Sequence, residues 1–243
     1  MSGWCGDRAV RDRMQRLAAD SFVGATPPPP LADDEIHLWR LVVDEVLKPR
    51  EITAAAHAFL GRLLMRYAGV DRAPDIARTD RGKPYAPALP DIDFNLSHAR
   101  EHVLIAIARR QPIGVDLERV DRRIEIEDLA RRFFAPAEAD ALEALPSEIR
   151  LAAFLRLWTC KEAVLKALGA GISFGLERVA FACDASGTPT GLAELAPEAG
   201  LPSDWRLALL EPAPGFLGAV AWRGGPRRIR AFLADALPSG TDA

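Results

Sequence analysis

The sequence predicts an α+β fold built from two small units in series. Three observations carry this. Strand-like and helix-like segments follow in the order strand, helix, strands, and then strand, helices, strands, so that each part has the plan of a small α+β unit. Sustained helical periods appear mainly at 53–68 and about 148–168, while most other apolar segments are short and bounded by turn chemistry. The chain has 243 residues, 49% of them hydrophobic, enough for one large domain or two small ones with a real core. We expect an N-terminal extension and Pro-rich linker over 1–32, a first half over 33–112, a second half over 113–233 and a tail over 234–243.

Asp7 to Leu17 reads as a short helix, and the four prolines Pro27 to Pro30 read as an extended linker. Ile36 to Val42 alternates like a strand. Ala56, Leu60, Leu63, Leu64 and Tyr67 share one helical face over 53–68, with Gly69 as the stop. Thr79 to Tyr85 contains a turn; Asp93 to Leu96, Val103 to Ala108 and Ile113 to Glu118 read as strands. Residues 125–145 are expected to form one or two helices broken near Pro136. A longer helix over 148–168 ends at Gly169, and strands follow at Arg178–Ala182, Trp205–Leu210, Leu217–Trp222 and Arg228–Leu233.

Composition excludes several classes. The net charge of -3 gives no global attraction to nucleic acid, and any acidic partner needs a local basic patch. No apolar run approaches the ~18 residues that cross a bilayer, and Met1 to Asp20 lacks a secretory apolar core. The three cysteines, Cys5, Cys160 and Cys183, show no CxxC spacing, which argues against a disulfide scaffold or zinc site and makes the cytoplasm the expected compartment. Of the 31 basic residues 27 are arginine, which sets apart the four lysines Lys48, Lys83, Lys161 and Lys166.

Four local patterns carry chemistry. In the long helix, Leu151, Leu155, Trp158, Leu165 and Gly169 form an apolar stripe that contains Glu162, with Lys166 at its edge and Lys161 on the opposite flank. A carboxylate inside such a stripe requires pairing or a metal; the simpler alternative is a solvated Glu162–Lys166 i,i+4 pair. In Gly114-Val115-Asp116-Leu117-Glu118, alternation puts Asp116 and Glu118 on one strand face. They repel unless a cation lies between them, and a hard divalent ion such as Mg2+ suits oxygen donors; a polar edge strand is the alternative. In Asn95-Leu96-Ser97-His98 the adjacent Ser and His point apart, so they are a poor nucleophile–base pair; capping of a helical turn by Ser97 and anion contact both remain open. Gly82-Lys83-Pro84-Tyr85 is a turn that presents one lysine, either as a phosphate contact or as a plain surface hairpin. There is no GxSxG elbow and no P-loop.

In this order, Gly82-Lys83-Pro84, Phe94-Asn95-Leu96-Ser97-His98, Gly114 to Glu118, Arg132-Phe133-Phe134 and Trp158 to Lys166 resemble the motifs of the 4'-phosphopantetheinyl transferase superfamily, in its two-domain monomeric, surfactin-synthetase-activating form. The resemblance covers about 36–222. It implies two similar α/β halves related by a pseudo-two-fold, each a small antiparallel-rich sheet packed on a long helix, with the site at their junction. It implies coenzyme A as donor, Mg2+ as metal, and an apo acyl or peptidyl carrier protein as acceptor, in a monomer that engages neither nucleic acid nor membrane. By position, Asp116, Glu118 and Glu162 are the implied metal carboxylates, with Glu162 and Lys166 as the catalytic pair. Lys83, Ser97, His98, Asp116, Lys161 and Lys166 are the implied coenzyme contacts. Arg122, Arg123, Arg131, Arg132 and Phe133 are candidates for the carrier surface, with core packing the alternative for Phe133 and Phe134. The implied reaction is transfer of the phosphopantetheine arm to a carrier serine with release of 3',5'-ADP. A Mg-dependent phosphodiesterase and a non-catalytic coenzyme- or carrier-binding protein are the alternatives. The chain departs from the family between Leu41 and residue 53, where a longer basic stretch is usual and only Lys48 and Arg50 stand here. His57 occupies a helix position where an arginine is common.

Overall fold

A computed structural model describes residues 14–121, 123–171 and 174–234. Cys5, Arg122, residues 1–13 and the tail from 235 lie outside the described residues. The first strands are β1 (Met14–Leu17), β2 (Phe22–Gly24) and β3 (Glu35–Val42), followed by the helix α1 (Pro49–Ala68) and the short pair β4 (Ala77–Arg78) and β5 (Pro84–Tyr85). Then come β6 (Ile92–Ala99), β7 (His102–Arg109), β8 (Ile113–Arg119), α2 (Ile126–Phe133), α3 (Pro136–Glu143) and α4 (Ser147–Leu168). The chain closes with β9 (Val179–Cys183), β10 (Pro189–Leu195), β11 (Trp205–Leu210), β12 (Phe216–Arg223) and β13 (Arg228–Leu233). This is the mixed α+β class expected. Both long helices stop at glycines in the left-handed region, Gly69 and Gly169, each with φ of 66°. The helix expected over Asp7 to Leu17 is corrected at its described end, where Met14–Leu17 is a strand. Among the described residues no helix is long and apolar enough to cross a membrane.

The layers run helix, sheet, sheet, helix. A five-stranded sheet has the order β2-β13-β3-β7-β6, and a four-stranded sheet the order β1-β11-β12-β8. On β7, Val103, Ile105 and Ile107 pack with Leu60, Leu63 and Leu64 of α1. The alternate residues Leu104, Ala106 and Ala108 pack with Val115 of β8 and with Val220 and Trp222 of β12. On β12 the opposite face, Leu217, Ala219 and Ala221, joins Leu155 and Val164 of α4. Both sheets are therefore covered on both faces, which is why β7 and β12 read as near-continuous apolar runs.

The strand pairings cross the boundaries drawn from the sequence. β1, inside the stretch read as an extension, runs parallel to β11 in the second sheet. β13, in the range given to the second half, lies in the first sheet between β2 and β3, parallel to both. Composition alone hides this, because β1 and β2 are only 4 and 3 residues long and gain their partners far along the chain.

The approach of α4 to β8 depends on Gly114. A Cβ there would lie 2.0 Å from the Ala163 carbonyl oxygen and 2.4 Å from the Ala167 backbone nitrogen. With Val115 and Leu117 turned to the sheet–sheet interface, Gly114, Asp116 and Glu118 share the face toward α4.

Lys161 corrects an expectation. It has no exposed surface and is the centre of a structural knot rather than a coenzyme contact. Its Nζ donates to Glu138 Oε2 at 2.6 Å, to the Leu176 carbonyl at 3.1 Å and to the Val179 carbonyl, so all three protons are used. Glu138 also accepts from Phe181 N at 2.8 Å and Ala135 N at 2.9 Å. Burial drives the Lys161 pKa down and Glu138 opposes that shift.

Gly114→Ala should lower stability by about 3 kcal/mol in urea unfolding, because the obstacle is backbone that cannot rotate away. Gly24→Ala, whose Cβ meets nothing within 4 Å, should stay close to wild type. Glu138→Leu should cost about 3–5 kcal/mol by stranding the Lys161 ammonium, and pairing it with Lys161→Met should regain most of that loss in the same assay.

Candidate active site

The first and second sheets end in strands β6 and β8, which lie side by side, with the C-terminal half of α4 resting on β8. Side chains, not ladder bonds, join them. Asp116 is 6% exposed, and its Oδ1 accepts from Ser97 Oγ at 2.9 Å and from Lys166 Nζ at 2.7 Å. Lys166 Nζ also donates to the Val115 carbonyl at 3.1 Å and contacts Ser97 Oγ at 3.2 Å. Ser97 is thus a mid-strand hydroxyl of β6, and the reading in which it caps a helical turn is set aside. Lys166 pairs with Asp116, so the simple Glu162–Lys166 pair on a solvated face is not what forms.

Glu162 lies one turn before Lys166 on α4. Its Oε1 is buried and has no hydrogen-bond partner, as is Asp116 Oδ2. Burial pushes the Glu162 carboxyl up to about 7; the Asp116 and Glu118 charges push the same way, while Lys166 pulls it down. Glu118, half-buried, shares the Asp116 face of β8. Among the described residues no three His, Cys, Asp or Glu side chains converge closely enough to hold an ion as they stand. The donor chemistry nevertheless fits one: two orphaned buried carboxylate oxygens, with a third carboxylate raising the repulsion, form a set of hard oxygens suited to a divalent cation.

Lys83 sits in the turn between β4 and β5, closed by Thr79 N to Lys83 O at 2.9 Å. Its Nζ pairs with Asp93 at 3.0 Å, donates to the Ile113 carbonyl at 3.2 Å and lies 3.5 Å from the Ala167 carbonyl. It therefore ties the first sheet to β8 and to the end of α4. His98 is exposed at the end of β6, and its pKa is lowered by partial burial, then by Lys166 and His57.

Two cavities flank the Asp116–Lys166–Glu162 cluster. One, of about 320 Å3, is lined by His57, Arg81, Lys83, Asn95, Glu162 and Lys166. The other, of about 720 Å3, is lined by Ser97, His98, Arg100, Asp116, Glu118 and Arg123. The structure thus gathers Lys83, Ser97, His98, Asp116, Glu118, Glu162 and Lys166 around one junction and leaves Lys161 out. Sequence reasoning assigned no role to Asn95 or Arg81; the available signal for Asn95 was its i,i+2 spacing from Ser97 on a strand.

The expected carrier surface divides. Arg131 is engaged within the chain, with Asp140 and Glu143 both at 2.6 Å. Phe134 is core, stacked on Phe154 at 5.0 Å. Phe133 is half-buried against Trp158, with the Arg132 guanidinium 5.0 Å from its ring centroid. Arg123 is exposed at the rim of the larger cavity.

Comparison with known proteins points the same way. The family model of the 4'-phosphopantetheinyl transferase superfamily matches residues 112–214, the span from β8 through α4 to just beyond β11. The 4'-phosphopantetheinyl transferase HetI of Nostoc sp. is 35% identical over 231 residues, which cover 82% of this chain and 93% of that protein. A 4'-phosphopantetheinyl transferase of Bacillus subtilis is 36% identical over 129 residues, covering 51% of this chain and 56% of that protein. The 4'-phosphopantetheinyl transferase Sfp of Bacillus subtilis strain 168 is 40% identical over 96 residues, covering 40% of this chain and 42% of that protein. A likeness that spans nearly the whole of HetI, together with the ordered motifs and their meeting at one junction, makes this chain a member of the 4'-phosphopantetheinyl transferase superfamily.

Proposed function

We infer that the protein transfers the 4'-phosphopantetheine arm of coenzyme A to a serine of an acyl or peptidyl carrier protein and releases 3',5'-ADP. The observation that carries this reading is the pair of orphaned carboxylate oxygens, Asp116 Oδ2 and Glu162 Oε1, set beside the Lys166 ammonium between two cavities. A diphosphate needs cationic charge next to oxygen donors that can share a divalent ion, and this junction offers both. We read the fold as two units of like plan, the five-stranded sheet on α1 and the four-stranded sheet on α4, with the site at their meeting.

Asp116, Glu118 and Glu162 are the residues that would hold the ion, for which we propose Mg2+. When bound, the ion neutralises charge on the phosphate oxygens. Lys166, held by Asp116 and the Val115 carbonyl, presents its ammonium toward the same oxygens. Lys83 and Arg81 line the smaller cavity and supply charge for the phosphates of the adenosine end, with His57 beside them in place of the usual arginine. The larger cavity, with Arg123 at its rim, leaves room for the carrier serine and its acidic surroundings. In the transfer, the serine oxygen forms a bond to the phosphorus that bears the pantetheine arm, the bond from that phosphorus to the 3',5'-ADP oxygen breaks, and the serine proton passes to Glu162. Glu162 lines the junction cavity beside Lys166 and is the carboxylate we assign to accept it.

Incubating an apo carrier with coenzyme A, Mg2+ and the protein should raise the carrier mass by one phosphopantetheine arm. Asp116→Ala and Glu162→Gln should each lower that rate by at least about 100-fold, with circular dichroism unchanged. Cleavage of coenzyme A without carrier labelling would favour a phosphodiesterase instead, and coenzyme binding without turnover a non-catalytic protein.

The raised Glu162 carboxyl also predicts a pH effect in chelator-treated protein. Its folded value of about 7 lies above the ordinary 4.5, so ionisation opposes folding increasingly as pH rises from 4.5 through 7. Glu162→Gln should therefore stabilise the metal-free protein by roughly 1–2 kcal/mol at pH 8, after solvent screening is allowed for, and by little at pH 5. Thermal melts at the two pH values check this, and added Mg2+ should stabilise wild type more than the variant.

A further inference from the structure

A third cavity, of about 220 Å3, lies where β1 and the turn-side ends of β11 and β12 meet the middle of α4. It shares no lining residue with the two cavities of the candidate site. Leu17, Leu209 and Leu217 give it an apolar wall. Two arginines reach it from separate elements, Arg16 from β1 and Arg156 from α4. The Arg156 side chain is only 26% exposed, and among the described residues its one carboxylate contact is with Glu211 at 3.4 Å, long for a charge-assisted bond. A guanidinium carries five N–H donors, so most of its donors are unengaged. None of its nitrogens is among the buried orphaned atoms, so they open on the cavity or on water. Arg16 makes no hydrogen bond or salt bridge to any described residue. Asp184, on the turn before β10, is occupied elsewhere: it accepts from Ser186 N at 2.9 Å, Ser186 Oγ at 2.6 Å and Thr188 N at 3.0 Å, and it lines a different cavity.

The lining thus sets two guanidinium charges against one carboxylate, Glu211, which is itself largely exposed. The surplus is one positive charge, which a monoanion balances and a dianion exceeds. A planar guanidinium presents paired N–H groups that match the oxygens of a carboxylate. An apolar cavity of about 150 Å3 takes one benzene ring. This one therefore has room for a single ring or a short aliphatic chain together with a carboxylate head. We propose that the cavity is a second ligand site, independent of the transfer reading, that takes a small monocarboxylic acid: the carboxylate bridges Arg16 and Arg156, and the apolar body lies on Leu17, Leu209 and Leu217. Leu217 pairs with Glu118 across β12 and β8, and Arg156 precedes Glu162 by six residues on α4, about 9 Å of helix. The ligand then rests on both elements that carry the acidic cluster without touching the cluster itself.

Hexanoate and phenylacetate, titrated separately into the full chain, test this. Each should bind with a dissociation constant near or below about 1 mM, as suits a ligand of this size. In 15N-labelled protein the backbone amide signals of Leu17, Leu217 and Gly218 should move, while those of Lys83 and His98 stay in place. Arg16→Gln and Arg156→Gln should each weaken binding at least about 10-fold, as loss of a charge-assisted bond requires, with circular dichroism unchanged. Hexanamide, which keeps the body and lacks the charge, should bind at least about 10-fold more weakly than hexanoate. If neither acid moves the cavity signals, the proposal is overturned, and this wild-type measurement decides the matter alone should the variants not fold. Undiminished binding in both folded variants overturns it as well. So does a response to acetate or inorganic phosphate as strong as that to hexanoate, which would show an adventitious ion only. No arm of the experiment contains coenzyme A, so the transfer reading stands or falls separately.

Discussion

The arrangement of the site depends on one steric fact: a glycine at 114 lets the backbone of α4 rest directly on β8. Even a methyl group at that point would push the helix off the strand, since backbone has no rotamer through which to yield. With the gap closed, Glu162 and Lys166 on the helix come level with Asp116 on the strand. The same closeness takes water away from Glu162 and raises its carboxyl. Contact, charge pairing and proton affinity at the junction all follow from the missing methyl group.

The three lysines that fall in the motifs share a geometry. Lys83 bridges Asp93 and the Ile113 carbonyl, Lys161 bridges Glu138 and the Leu176 carbonyl, and Lys166 bridges Asp116 and the Val115 carbonyl. Each ammonium meets a carboxylate and backbone oxygen at once, in directions spread around a point. A planar guanidinium cannot reproduce that within the same space. The three motif lysines therefore mark confined positions, Lys161 in the core and Lys83 and Lys166 on the smaller cavity.

Much of this was legible from the residues. The α1 face of Ala56, Leu60, Leu63, Leu64 and Tyr67 is buried as the helical period requires, and the break at Pro136 does separate two short helices. The alternation in 114–118 correctly places Asp116 and Glu118 opposite Val115 and Leu117, because a strand's two-residue period is set by the backbone itself. What stayed hidden depends on contacts remote in sequence. Lys161 and Lys166 are five positions apart on one helix, and nothing local says that the first meets Glu138 and the second Asp116. His37 is another case. It lies in a plain alternating strand, yet it is wholly buried between Glu35 Oε2 at 3.1 Å and Tyr67 Oη at 2.7 Å. β10 does not show in the sequence because Pro189 and Gly191 break its pattern, and its pairing with β9 is irregular.

The position of β13 between β2 and β3 bears on how the chain comes to be made. A ribosome releases residues 22–42 and 92–109 long before residues 228–233, yet the five-stranded sheet is continuous only when that last strand fills the slot between the first ones. During synthesis β3 lacks its parallel neighbour, and its open edge must wait through almost the whole of translation. Closure across so long a loop is slow compared with local helix formation. The nascent chain thus spends most of its synthesis with a mainly apolar β3 awaiting its partner, a burden that falls on chaperones and on expression temperature rather than on the finished enzyme.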